Sequence, residues 1–287
     1  MLYNYLWYSN MPENNPLQKY FRQPAIYVKL PSNGKFYPPN TLDMPANGEI
    51  PIYPMTATDE IISRTPDALF NGSAITQLLQ SCVPNIKEPW VIPQIDIDLL
   101  LTAIRIASYG HDMEMTTKCP KCSEEQDYAL DLRNVIDSYG TPDYTKAVQI
   151  SDMQIYFKPL TYLQINENSR KQFEQQKLVQ MSTVSETMSE EDRLAAMSSA
   201  LTEITKMTMS TIAESVSAIK TSDAMVDDPG HIKEFVANVD AKIFTRIRDH
   251  LNSIRESSEM KPLKIKCKDC EHEYEQPFTL DMSNFFV

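Results

Sequence analysis

Hydrophobic positions change period several times along the chain, and each change marks an expected change of structure. Over residues 1–55 they are scattered among prolines and asparagines, with two short extended runs, Ala25 to Leu30 and Glu49 to Met55. X-Pro steps push the preceding residue towards extended geometry and remove a backbone donor, so this stretch is expected to be an extended N-terminal arm with small strands. Its first residues gather Tyr3, Tyr5, Leu6, Trp7 and Tyr8 with no core of their own. Such a cluster either docks on another surface or frays.

From residue 56 to residue 112 the period becomes helical. Thr56 and Thr65 offer caps for TATDEII and TPDAL, and Ser73 to Val83 sets Ile75, Leu78, Leu79 and Cys82 at intervals of three and four. That spacing makes Cys82 a small buried apolar residue rather than a ligand. A further helix is expected to open at Asp96 or Asp98, bury Leu100, Leu101, Ile104 and Ala107, and stop at Gly110. Alternation then returns: MEMTTK and QDYALDL flank a cysteine pair as a strand-turn-strand unit, and Ala147 to Leu160 adds extended material.

Between about Thr161 and Ser258 strand signals almost vanish and three helical runs follow. The middle run places Leu194, Met197, Leu201, Ile204, Thr208, Thr211 or Ile212, Ser215 and Ile219 at the spacing of a helix-helix seam. The third places Ile232, Phe235, Val236, Val239, Ile243, Ile247, Leu251 and Ile254 on one stripe. These stripes either pack on one another or, being rich in Met, Ser and Thr, receive partner helices. The expected class is α+β: a four-cysteine zinc ribbon of short antiparallel strands, the arm, and a mainly helical body. In boundaries, this means an arm at 1–55, a helical subdomain at 56–112, a split ribbon at 113–160 and 259–287, and an inserted helical hairpin or three-helix module at 161–258.

Composition changes the picture in two ways. A formal net charge of -12 and a pI near 4.9 argue against work by neutralising nucleic-acid phosphates. No secretory signal and no run of about 18 apolar residues is present, so a soluble cytosolic chain without a membrane partner is expected. Thiols in that reducing compartment stay free unless they bind metal or do redox work, which turns attention to the cysteines.

Four of the five cysteines form two Cys-x-x-Cys pairs, in KCPKC (Lys118 to Cys122) and KCKDC (Lys266 to Cys270), about half the chain apart. Zinc favours four soft ligands in a tetrahedron, and one tight Cys-x-x-Cys turn aims two thiolates at one point. The gap exceeds that of a compact ribbon, yet each pair is preceded by an alternating run and followed by an acidic turn and a similar strand. Each also carries two lysines, Lys118 with Lys121 and Lys266 with Lys268, which would offset the double negative charge of a zinc tetrathiolate. Cys119, Cys122, Cys267 and Cys270 are therefore the expected ligands of one structural zinc ion. A redox dithiol would sit at the start of a helix after a strand, and neither pair does so. His272 stands beside Cys270 as an alternative ligand. The glycine common after the second cysteine of such a turn is replaced by Ser123 and Glu271.

A closed site leaves no position for substrate, and the rest of the chain offers no chemistry in its place. None of the six glycines falls in a phosphate-cradling or nucleophile-elbow pattern, and His111, His231, His250 and His272 are scattered. A non-enzymatic protein is expected.

The motifs PMTATDE, TPDALFNG, SCVP, AIRIASYGH and CPKC, taken together over Leu30 to Leu132, resemble the baseplate hub proteins of T4-like contractile-tailed bacteriophages. The C-terminal cysteine pair and final strand fit the same picture, whereas 161–258 carries no motif of the resemblance. What it implies is a structural or assembly component of the tail baseplate hub, working with other hub subunits and the tape-measure protein. It further implies assembly in the host cytoplasm, a place in the virion tail if retained, and a symmetric setting in which the chain can be homo-oligomeric. The competing classes are a zinc-ribbon module for nucleic acid or transcription, read out by a salt-dependent gel shift, and a dithiol redox enzyme, read out by thiol titration.

Overall fold

The structure is a computed structural model and describes residues 15–65, 71–184, 189–258, 261–278 and 285–286. The aromatic cluster Tyr3 to Tyr8 and most of the TPDAL segment lie outside the described residues. Two hydrophobic cores organise the rest.

The first core begins with β1 (Ile26–Val28) and β2 (Ile50–Ile52), which pair antiparallel with Ile26 opposite Ile52 and Val28 opposite Ile50. Val28, Leu30, Ile50 and Ile52 are buried. Thr56 then starts α1 (Ala57–Ser63) with a reciprocal capping box, its hydroxyl accepting from the Asp59 amide while the Asp59 carboxylate accepts from the Thr56 amide. Arg22 fastens the preceding segment to this corner, donating to the carbonyls of Pro54 at 2.6 Å and Ser81 at 2.8 Å and to Asp59 Oδ2 at 3.3 Å. Gly72, at φ 77°, introduces α2 (Ser73–Cys82), which buries Leu78, Leu79 and Cys82. A Cβ on Gly72 would lie 2.5 Å from the Asn166 side chain, so the close approach and the left-handed backbone both require glycine.

Helix α3 (Gln94–Tyr109) is the centre of this core and buries Ile97, Leu99, Leu100, Leu101, Ala103 and Ile104. It opens earlier than its acidic residues suggest, with Pro93 at the cap position, so neither Asp96 nor Asp98 is the cap. Asp96 instead sits fully buried in the first turn and accepts from the Ser32 amide (2.8 Å), the Ser32 hydroxyl (2.6 Å) and the Tyr37 hydroxyl (2.9 Å). Burial pushes its carboxyl up to about 6 against these three hydrogen bonds. Gly110 ends the helix at φ 89°. Strands β3 (Asp112–Lys118) and β4 (Glu125–Asp131) form a hairpin, and Asp131 caps α4 (Leu132–Ser138) through the Arg133 amide. Leu130, Leu132 and Val135 return to the first core, as do Phe285 and Phe286 from the C-terminal end; Arg105 Nε donates to the Phe285 carbonyl at 3.0 Å.

The second core is built on a four-stranded antiparallel sheet. β5 (Val148–Ile150) and β6 (Met153–Phe157) precede the long helices α5 (Tyr162–Val184) and α6 (Glu190–Ser215), after which β7 (Val216–Lys220) and β8 (Met225–Val226) complete the order β5-β6-β7-β8. Helices α7 (Pro229–Asn238) and α8 (Ala241–Ser258) follow, then β9 (Leu263–Lys266) and β10 (Glu273–Gln276), a second hairpin. Ile150, Ile155, Phe157, Ile212, Val216, Ile219, Ile232, Val236, Ile247 and Ile254 form the core.

Two expectations for 161–258 need correction here. The seam assigned to the middle run ends at Ser215, and Ile219 belongs to β7, paired opposite Ile155 of β6. Val216, Ala218 and Ile219 are buried, Val216 and Ile219 in the second core, and the ladder with β6 wins over the helical spacing. The third stripe is two helices: α7 ends at Asn238, and Asp240 restarts the chain by accepting from the Lys242 and Ile243 amides. The two cores are joined where Gln94 N donates to Leu160 O (2.8 Å), Tyr162 N donates to Ile92 O (2.9 Å), and Trp90 stacks on Tyr162 at 5.5 Å.

Candidate metal centre

Each cysteine pair occupies the tip of one hairpin. In the first, Lys118 pairs with Glu125 across the strands and the residues between them form the tip; in the second, Lys266 pairs with Glu273 around a tip of the same length. Corresponding hydrogen bonds close both tips. Cys119 N donates to Glu124 O and Ser123 N to Cys119 O, each at 2.9 Å, while Cys267 N donates to His272 O at 2.9 Å and Glu271 N to Cys267 O at 3.1 Å. Ser123 and Glu271, the two residues in the place of the usual glycine, take the left-handed conformation at φ 63° and 54°. The turn is kept, at the steric cost that a non-glycine residue carries there.

The two tips meet. Sγ atoms of Cys119, Cys122, Cys267 and Cys270 all lie within 4.8 Å of one another, with Cys119 to Cys270 at 3.7 Å and Cys122 to Cys267 at 3.6 Å. A tetrahedral zinc with sulfur ligands at about 2.3 Å requires sulfur-sulfur edges of about 3.8 Å, so donor set and spacing both fit one such ion. Cys119 and Cys267 are buried while Cys122 is exposed, which sets the cluster at the protein surface with its first ligands on the inside.

Electrostatics give the same account. Burial raises the Cys119 thiol, but the amides of Cys122 and Lys121 point at its sulfur and bring it down to about 7. At Cys122 the Glu124 amide opposes ionisation's cost, yet burial and the neighbouring thiols of Cys270, Cys119 and Cys267 push it up to about 12. A cation bound among the four sulfurs would favour the thiolate form of each. The lysines expected to offset the charge are partly engaged elsewhere: Lys266 Nζ lies 3.6 Å from Glu271, and Lys268 Nζ donates to Asp127 O at 3.1 Å. His272 is not among the clustered donors; its ring lies over Tyr274 at 6.4 Å.

Side chains that the cysteine spacing does not single out hold the hairpins together. Thr117 Oγ1 and Tyr274 Oη are 2.9 Å apart, Gln126 Nε2 donates to Tyr274 Oη at 3.2 Å, and Gln126 Oε1 accepts from the Lys268 amide at 2.9 Å. Thr117 precedes Cys119 by two residues, and Gln126 and Tyr274 each follow the second cysteine of their pair by four. Their matched places in the near-repeat were the available signal. Cys82 stands apart from the cluster, buried in the first core, where burial drives its thiol up to about 12.

Helices and short antiparallel strands around a closed four-sulfur cluster define an α+β protein whose two remote chain segments are clasped at one point. The chain belongs to the T4 bacteriophage base plate protein family, whose family model matches residues 24–287. That match extends through 161–258, where no motif of the resemblance falls, and on to the second cysteine pair. Membership puts the chain among the structural components of the phage tail. No curated protein and no solved structure matches it. Among the described residues no helix is long and apolar enough to cross a membrane.

Proposed function

We infer that the protein is a non-enzymatic structural or assembly component of the contractile-tail baseplate hub, clasped by one zinc ion on Cys119, Cys122, Cys267 and Cys270. The observation that carries this is the convergence of four thiols from two remote hairpins, in a chain matched to the base plate family over 24–287. Four protein ligands fill the tetrahedron, so the ion's role is mechanical: it fixes the end of α3 and the return from α8 to one rigid node. The two hairpins then form a split zinc ribbon within a ribbon and strand region at 113–160 and 259–287, and the segment 161–258 is the excursion between its halves. Other hub subunits and the tape-measure protein are the partners this placement favours, in the host cytoplasm during assembly and in the tail baseplate if the protein is retained.

Zinc quantified on the purified chain tests the clasp, with one equivalent expected and a loss of reactive-thiol protection on chelation. Cobalt in its place should give the intense thiolate-to-metal absorption of a four-sulfur site. A mass-spectrometric inventory of purified particles and of hub intermediates tests the placement. A salt-sensitive gel shift with DNA or RNA would favour the nucleic-acid module instead, and thiols whose reactivity ignores chelation would sink the metal.

A further inference from the structure

Helix α6 sets Leu194, Met197, Leu201, Ile204, Thr208, Thr211 and Ser215 at steps of three and four in strict alternation. That is the 3.5-residue period of a coiled-coil seam. The inner half of the seam is partly covered: Ile204, Thr208, Thr211 and Ser215 line a cavity of about 450 Å³ bounded also by α5 and α8, with Ser215 buried, Ile204 and Thr211 half-buried and Thr208 exposed at its mouth. Its outer half is open: Leu194 is 63% and Leu201 60% exposed. Helix α5 packs along α6 and reaches the inner seam, where Asn168 Nδ2 donates to Thr211 Oγ1 at 3.1 Å, and leaves Leu194 and Leu201 exposed.

Charge supplies an independent observation. Among the described residues the charged groups lining the cavity are Lys158, Arg248 and Arg255, with no carboxylate in the lining, in a chain of net charge -12; Arg255 is itself engaged by a neighbour. Arg248 also meets the adjacent Asp249 at 3.1 Å outside the lining. The opposite end of the same helix is acidic: Glu190, Glu191 and Asp192 occupy its first turn, with Asp192 engaged by Ser189. One helix therefore has an acidic start, an open apolar middle and an end beside a basic cavity.

We propose that two copies of the chain dimerise by packing α6 antiparallel on α6 about a two-fold axis at Leu201, the acidic first turn of each copy entering the basic cavity of the other. With Leu201 on the axis, Leu194 of one copy lies level with Thr208 of the other, and Glu191 lies level with Thr211. At ~1.5 Å per residue the first pair lies about 10 Å and the second about 15 Å from the axis on each copy, so seam and charges come into register together. A parallel pairing would set acid against acid and cavity against cavity, so charge selects the antiparallel, isologous arrangement. The inference stands on α5, α6 and α8 alone and is independent of the metal and of the baseplate placement.

Sedimentation of the full chain over a concentration series tests it, with a monomer-dimer equilibrium expected. Leu201→Glu, at a mostly exposed position, should leave the circular dichroism unchanged and weaken the dimer at least tenfold. Under mild oxidation Leu201→Cys should cross-link to itself, as mapped by peptide mass spectrometry, whereas Lys206→Cys, on the far side of the helix, should not. A chain that is monomeric throughout, a dimer indifferent to Leu201→Glu, or equal cross-linking at the two positions overturns the proposal. So does a monomer that instead binds an acidic helix from another hub subunit.

Discussion

The two halves of the sulfur cluster share a local design and differ in what anchors them. Each is a hairpin with a Lys-Cys-x-x-Cys tip, closed by the same backbone bonds and a left-handed residue after the second cysteine. β3 and β4 pair over seven residues, run on into α4, and set Leu130, Leu132 and Val135 in the first core, with Met113, Met115 and Tyr128 packed against it. β9 and β10 pair over four residues; Leu263 and Phe278 touch the first core, and Ile265 and Cys267 are the buried side chains of that hairpin and its tip. An isolated short hairpin is marginal in water, so the second half depends on the first and on whatever the sulfurs hold, while the first is held by the core as well. Identical tips thus do not imply equal stability.

Removing a proposed metal ligand at the dependent half should have the largest effect. If the proposed zinc is held there, Cys267→Ser should forfeit binding worth ~10 kcal/mol in small domains, so zinc content should collapse and amides of 263–276 should exchange freely with solvent. Amides of β3 and β4 should lose less protection, and those of the second core none; equal loss in both hairpins would refute the asymmetry. Next comes the pair of matched positions two residues before each first cysteine. Ile265→Ala should cost about 2–4 kcal/mol in chemical denaturation by opening a cavity, and Thr117→Ala about 1 kcal/mol by losing its hydrogen bond to Tyr274. A reversed order would place the anchor in the wrong hairpin.

Gln126→Ala should cost about 1–2 kcal/mol, since it leaves the Lys268 amide without its acceptor and Tyr274 with Thr117 as its remaining partner. The sensitive readout is the rate at which a chelator strips the metal, which should rise. Smallest are Ser123→Gly and Glu271→Gly, each expected to raise stability by up to about 1 kcal/mol because glycine adopts their left-handed backbone freely. Matching gains at the two sites would show that the tips are equivalent and that only their surroundings differ; a loss at either would show that its side chain is needed.

Much of this was legible in local spacing. The cysteine pairs, their flanking strands, the Thr56 cap, the helix ending at Gly110 and the burial of Cys82 all follow from residue type at short range, where backbone geometry fixes which positions share a face. Other features depended on what lies across from a segment. Val216 to Lys220 carries helical spacing yet becomes a strand because β6 offers it a ladder, and Asp96 is claimed by Ser32 and Tyr37 from far along the chain rather than by its own helix. Residue types and short spacings alone specify the donor set of the cluster and the turns that aim it. That the four sulfurs converge and that Leu194 and Leu201 of α6 stay exposed is settled by packing, because convergence and coverage belong to partners distant in the chain, which no local period records.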